Sequence, residues 1–264
     1  MIPYPEIPPL AVGPLRFPVA SLLIAAAVLT GHFLLRARAK ARGWDTGTAA
    51  GFSASMLVGG LIFGHLAKML YYRDAWAHIT SNPTMLLLIL SGQASFGGIL
   101  GGLASGAAYL RWAGQRGPDL LKWFDLFASV FPFAWILGRM HCFVVHDHPG
   151  IRTQSWLGVR YPDAVRFDLA FLEILFLLLL IPALRLARPW LSRPGALCGA
   201  FLASYGAFRY FLDFLHVDAV RYLGWTVDTW ASLTALTLGV LLSIPFSGAQ
   251  RCSNPYGPSL QTRS

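Results

Sequence analysis

The chain has 264 residues, 55% of them hydrophobic and only 12% charged, with a formal net charge of +9. A soluble domain carries about 25% charged residues, so at half that density a water-solvated globule is excluded and the solvent is a bilayer. The basic excess is then the product of positive cytoplasmic loops, and no nucleic-acid partner is expected.

In chain order, the lead MIPYPEIPPL has no basic residues ahead of an apolar run, so no cleaved signal peptide is expected. Seven segments then meet the requirement of about 20 apolar residues for crossing hydrocarbon: roughly 17–35, 49–72, 84–110, 121–145, 167–187, 195–215 and 226–246. Pro132 interrupts the fourth, where a kink is expected. Arg36, Arg38, Lys40 and Arg42 follow the first segment, and Arg111, Arg116 and Lys122 the third. Arg185, Arg188 and Arg193 follow the fifth, and Arg251 and Arg263 lie beyond the seventh. Basic residues in the other loops are spread more thinly. This alternation predicts an all-α polytopic membrane protein: one domain over residues 1–264 with about seven transmembrane helices, the N-terminus outside and the C-terminus cytoplasmic.

Orientation converts position into depth. His65 and Lys68 fall late in the second segment, Arg139 late in the fourth, Arg209 and Asp213 late in the sixth, and Asp168 and Glu173 early in the fifth. All of these lie in the outer half of the membrane, whereas Asp125 is near the cytoplasmic end. Charges within hydrocarbon cost several kcal/mol each and mark function by default. Four segments that place charge in one leaflet predict a shared polar cavity. Lys68, Arg139 and Arg209 outnumber the deeper acids Glu173 and Asp213, so a cationic cavity for a phosphate or carboxylate is expected. Arg209 and Asp213 share a helical face, which allows the acid to orient the guanidinium.

Two stretches carry further chemistry. In SGQASFGGILGGLASGAAYL, small residues recur every fourth position from Gly97 and Gly98, as in close helix packing. The opening Ser91–Gly98 is alternatively an irregular turn whose backbone amides face a ligand. In GRMHCFVVHDHPG, Arg139 is followed by His141, His146, Asp147 and His148. The histidines are open to three readings: interfacial hydrogen bonding, catalysis, or a metal site. Their spacing matches no strong ligand pattern, and no cofactor is expected. Cys142, Cys198 and Cys252 are odd in number and far apart, which indicates no disulfide framework.

Several of these motifs together resemble the prolipoprotein diacylglyceryl transferases, seven-span enzymes of the bacterial cytoplasmic membrane. The likeness runs through the proline-rich lead, GLIFGHLAKMLYY from Gly60 to Tyr72, and the Ser95–Gly102 glycine motif. It continues through Gly138-Arg139, Arg160-Tyr161-Pro162 and YGAFRYFLD from Tyr205 to Asp213. The resemblance implies transfer of the diacylglyceryl group of phosphatidylglycerol, an anionic phospholipid, to the cysteine thiol of a lipoprotein precursor, with glycerol phosphate leaving. It implies substrate binding by Arg139, Arg209 and Asp213, with Asp147 and Asp213 positioning the arginines; the cationic cavity and the glycine turn read above add Lys68, Ser95, Gly97 and Gly98 to the expected substrate-binding residues. The family's histidine between the SF and GG of Ser95-Phe96-Gly97-Gly98 is absent, its usual asparagine is replaced by Cys142, and its usual glutamate by Asp147. A histidine is the side chain whose pKa needs least tuning to take the thiol proton. His146, His148, His65 and His141 are the candidates in that order, the first two because they meet water. The alternative is a non-catalytic phospholipid-binding or transport protein that retains the fold.

Overall fold

Long apolar runs in a medium without water have to satisfy their backbone internally, and the helix does so within one segment. A computed structural model describes residues 1–4, 6–68, 80–82, 84, 94–217 and 220–244. Seven long helices occur among the described residues: α1 (Val19–Lys40), α2 (Thr46–Lys68), α3 (Ser95–Trp112), α4 (Gly117–Val145), α5 (Leu169–Ala187), α6 (Ala196–Asp213) and α7 (Val227–Ser243). Each overlaps one expected segment. The expected stretches 69–72 and 85–93, and the basic tail with Arg251, Arg263 and Cys252, lie outside the described residues.

Val19–Lys40, Thr46–Lys68, Gly117–Val145 and α5 with its continuation to Trp190 are long and apolar enough to cross a membrane. The distribution of polarity fits a polytopic membrane protein. Arg139, Glu173 and His65 are buried at 3%, 0% and 1% exposure, while Leu179 is 72% exposed and Phe33 57%. Exposed apolar side chains cost free energy in water and none in lipid, whereas the buried charges are costly in either solvent unless they are paired.

The described chain is mostly helical, as expected, and its loops add short strands that satisfy their backbone groups. β1 (Leu10–Val12) pairs antiparallel with β2 (Leu15–Phe17). Between α4 and α5, β3 (Pro149–Arg152), β4 (Val159–Arg160) and β5 (Val165–Asp168) form a sheet in the order β3-β5-β4. Ile2 joins this sheet through Val159, with Ile2 N–H donating to Gly158 O and Arg160 N–H to Ile2 O. β6 (Arg221–Tyr222) and β7 (Trp225–Thr226) make a hairpin before α7.

Two apolar clusters hold the bundle. Leu35, Phe52, Leu110, Trp123 and Leu126 join α1, α2, α3 and α4, and Ala128, Leu177, Leu197, Phe201 and Tyr205 join α4, α5 and α6. Small residues set the closest approaches. A Cβ on Gly59 of α2 would overlap Ser105 of α3 and lie 2.7 Å from the Gly101 carbonyl. One on Gly206 of α6 would lie 2.6 Å from the Leu236 amide nitrogen of α7. The glycine stripes of α3 therefore serve packing, as the spacing suggested. Pro132 sits inside α4 and Pro182 inside α5, each without the amide donor its turn would use.

This packing predicts an asymmetry between glycines. Gly59→Val is expected to cost about 1–3 kcal/mol through overpacking. Gly98→Ala, whose Cβ would meet the Gly60 carbonyl at an ordinary 3.5 Å, is expected to be nearly neutral. Thermal unfolding in detergent compares the two.

Candidate active site

The buried centre is built around Glu173, in the second turn of α5 and 0% exposed. Its Oε1 accepts from Trp135 Nε1 at 2.7 Å and from Tyr205 Oη at 2.5 Å. Arg139 Nε approaches the same oxygen at 2.8 Å but off the hydrogen-bond axis, so this contact is an ion pair. Arg209 Nη1 donates to Oε2 at 3.1 Å, and its Nη2 lies 3.4 Å from Asp228 Oδ1. One carboxylate thus gathers guanidinium groups from α4 and α6, while Asp228 adds a partner from α7. Breaking such a pair strands a buried charge, which is what makes the arrangement rigid.

Each arginine has a polar aromatic four residues ahead of it on its own helix: Trp135 before Arg139, Tyr205 before Arg209. At that spacing the side chains share a face. Both aromatics bind Glu173, the Tyr205 hydroxyl accepts from Trp135 Nε1 at 3.0 Å, and Arg139 lies 5.1 Å over the Trp135 ring. Arg139 spends its Nη1 on Cys142 Sγ, a weak acceptor at 3.9 Å. An anionic oxygen at that position would be a stronger partner than the sulfur.

The expected positioning acids are corrected. Asp213 accepts from Thr226 Oγ1 at 2.6 Å and from Thr229 Oγ1, so it ties the end of α6 to the start of α7. Thr226 also caps α7 by accepting from the Thr229 amide. Asp147 is 43% exposed at its side chain and lies 3.6 Å from His148 Nε2. Glu173 and Asp228 orient the arginines because their helices face α4 and α6, whereas Asp213 and Asp147 sit at a helix end and in a loop. With Asp228 included, the centre holds two cations and two anions, which amends the expected surplus of positive charge.

The histidines separate. His141 Nδ1 lies 2.9 Å from the Ala20 carbonyl and ties α4 to α1. His146 closes α4 in the left-handed region, at φ 57° and ψ 37°. Its ring stacks on Tyr4 at 3.7 Å, faces Asp168 Oδ2 at 3.7 Å from Nδ1, and has only 4% of its side chain exposed. The expected solvent access of His146 is therefore corrected: the N-terminal segment, held by Ile2, covers it. Asp168 also accepts from Tyr161 Oη at 2.7 Å and caps α5 through the Phe171 amide. Burial and that bond push the Tyr161 phenol up, so it stays protonated.

His148 is 35% exposed at its side chain and stands where β3 leaves α4. β3 reaches across to the end of α6, with Ile151 N–H donating to Leu215 O and Gly150 bridging His216. A Cβ at Gly150 would lie 2.9 Å from the Leu215 and Phe167 carbonyls, so only glycine allows this approach. His148 is thereby brought into the field of Arg139 and Arg209. Desolvation lowers its pKa most, the two arginines and His216 lower it further, and Asp147 opposes them; the imidazole falls to about 4. It is neutral at physiological pH.

Cys142, Asp147 and His148 place ligand-type atoms within 4.8 Å of one another. The metal quartet His141, His146, Asp147 and His148 is not assembled, since His141 and His146 turn elsewhere. His65 is buried late in α2 and Lys68 ends that helix; the arginine pair is held without them. Gly97 faces Phe63 and Ala67 of α2, and Gly98 faces Gly60. The side chain of Ser95 and residues 91–93 lie outside the described residues. Sequence reasoning missed the roles of Glu173, Trp135, Tyr205, Asp228 and Tyr4. The four-residue spacing to each arginine was the available signal for two of them.

The comparisons agree in one direction. The model of the prolipoprotein diacylglyceryl transferase family matches residues 9–245. A phosphatidylglycerol–prolipoprotein diacylglyceryl transferase of Nitratidesulfovibrio vulgaris is 30% identical over 93% of this chain and 92% of its own length. The protein of that name from Rhizobium meliloti is 28% identical over 94% of this chain and 91% of its own.

Two measurements test the site's electrostatics. Glu173→Ala is expected to destabilise the protein by about 3–5 kcal/mol, since two buried cations lose their shared anion; unfolding in detergent reads this. An unfolded histidine takes its proton near pH 6.5 and His148 only near 4, so its contribution to stability is present above pH 6.5 and lost as pH falls toward 4. His148→Gln is expected to flatten the stability–pH curve over that window.

Proposed function

The chain belongs to the prolipoprotein diacylglyceryl transferase family, and on that premise we propose that it moves the diacylglyceryl group of phosphatidylglycerol to the cysteine thiol of a lipoprotein precursor. The observation that carries the site assignment is the pairing of Arg139 and Arg209 across one buried carboxylate. Two guanidinium groups held side by side match a phosphodiester in geometry and charge. As the thiolate sulfur bonds to the glyceryl carbon, the carbon–oxygen bond to phosphate breaks and glycerol phosphate leaves. Charge grows on the phosphate oxygens, where fixed cations are worth most. Trp135, Tyr205, Glu173 and Asp228 are positioning residues, and they hold the arginines before substrate arrives.

The thiol proton needs an acceptor, and the family's motif histidine is absent. His148 takes this role in our reading, in place of His146, because it is neutral and partly open, while the field of both arginines weakens it as a base before substrate binds. A bound phosphate offsets that field and makes the imidazole a better base as the substrate arrives. Asp147, beside Nε2, orients the ring. The same reading has seven spans in one domain over residues 1–264, an outside N-terminus and a cytoplasmic C-terminus. The arginine pair then faces the outer leaflet of the bacterial cytoplasmic membrane, where lipoprotein precursors emerge.

The test is transfer of label from phosphatidylglycerol to a peptide carrying a lipoprotein cysteine motif, using the detergent-purified protein. Wild type is expected to label the peptide. Arg139→Ala is expected to lose about 10²–10³-fold, and His148→Ala about 10²–10⁴-fold. His146→Ala is expected to lose stability more than rate. Unlabelled peptide from a wild-type protein that still retains phospholipid would overturn the transferase reading and leave lipid binding as the function. Full activity in His148→Ala would overturn the base assignment alone.

A further inference from the structure

Far along the bundle from the Glu173 centre, four arginines converge on one recess. Arg38 lies in the last turn of α1 and Arg42 just beyond it, Arg185 in the last turn of α5 and Arg188 just beyond it; together with Phe133 and Pro132 of α4 they line a cavity of about 190 Å³. Arg38 Nη1 donates to the Ser129 carbonyl at 2.6 Å. The guanidinium groups of Arg38 and Arg185 both lie 5.6 Å over the Phe133 ring, which fixes two like charges beside each other. Ser129 and Arg139 are separated by about 15 Å along α4 at 1.5 Å per residue, so this recess is distinct from the arginine pair above.

The charge here is not balanced by ion pairs among the described residues. Among the described residues no carboxylate forms an ion pair with Arg38, Arg42, Arg185 or Arg188. Asp125 is the acid nearest in field to Arg42, but its oxygens accept from the Gly195 and Cys198 amides at 2.7 and 2.9 Å. A helix C-terminus favours one cation in its last turn, which accounts for Arg38 or Arg185 singly but not for four arginines aimed into one cavity. Arg193 shows how this fold uses an arginine structurally: it donates to the Leu242, Ser243 and Ile244 carbonyls at the end of α7. Among the described residues no comparable set of acceptors meets Arg42, Arg185 or Arg188.

We infer that this recess binds a phosphate group, carried by an anionic phospholipid of the leaflet opposite the Arg139–Arg209 pair or present as free phosphate. Basic pockets between membrane helices suit such head groups, because each cation lies within reach of the surface and neutralisation removes mutual repulsion. Half-buried Arg38 and Arg42 form the floor and exposed Arg185 and Arg188 the rim. The inference of two separate lipids rests on the substrate site proposed above.

Native mass spectrometry of the full-length protein in detergent counts retained lipid after incubation with phosphatidylglycerol or phosphatidylcholine, and thermal unfolding reads protection by inorganic phosphate. Wild type is expected to retain two phosphatidylglycerol molecules. Arg38→Gln/Arg185→Gln is expected to lose one, and Arg139→Gln the other. If Arg139→Gln keeps both lipids, the substrate-site assignment fails while loss in the double variant still supports this recess. Phosphate protection that the double variant abolishes, without loss of lipid, identifies free phosphate as the occupant. Arg42→Gln breaks no hydrogen bond among the described residues and guards against misfolding; it is expected to weaken occupancy severalfold. Unchanged lipid count and unchanged phosphate protection in both folded variants would overturn the inference.

Discussion

The structure depends on one carboxylate holding two guanidinium groups inside an apolar bundle. Arg139 and Arg209 would repel each other if brought together alone, and each would be expensive in hydrocarbon. Glu173 offsets both costs from a third helix, with one oxygen toward each arginine. Trp135 and Tyr205 fix the rotation of the carboxylate, so the arginines are fixed too. The result is a preformed edge of two guanidinium groups, charge-balanced from behind and supported by α4, α5, α6 and, through Asp228, α7. Binding of an anion there requires little reorganisation, which is the property that electrostatic catalysis needs.

The other features place chemistry beside that edge. Close α6–α7 packing at Gly206 brings Asp228 to Arg209, and the short β3 strand carries His148 over the end of α6. The N-terminal segment does the opposite for His146. It covers the ring with Tyr4 and turns it toward Asp168, so a residue that ends a helix in a left-handed conformation becomes part of a closed aromatic group with Tyr161. Two histidines separated by a single residue thus have different surroundings, one closed and one partly open.

Much of this was legible in the sequence. The seven apolar segments located the helices, and the burial of charge in late or early turns singled out Arg139 and Arg209. The small-residue stripes of α3 correctly announced close packing. The partners of the arginines were not legible, because segments apolar on nearly every side do not reveal how a helix is rotated about its axis. Helical spacing put Asp213 beside Arg209, but Asp213 lies at the last residue of α6, where the threonines of the next helix start compete for it. Glu173 passed as one acid among several until its burial was known. Tyr4 is distant in sequence from His146, and no local pattern foretells that contact.

The central claim is that Arg139 and Arg209 grip the same phosphate. A double-mutant cycle on phosphatidylglycerol binding tests this most directly, using Arg139→Gln, Arg209→Gln and the double variant in detergent. Residues that share one partner are coupled, so the double variant is predicted to lose markedly less affinity than the product of the two single losses. Losses that multiply without coupling, or single variants that bind as wild type does, would contradict the account.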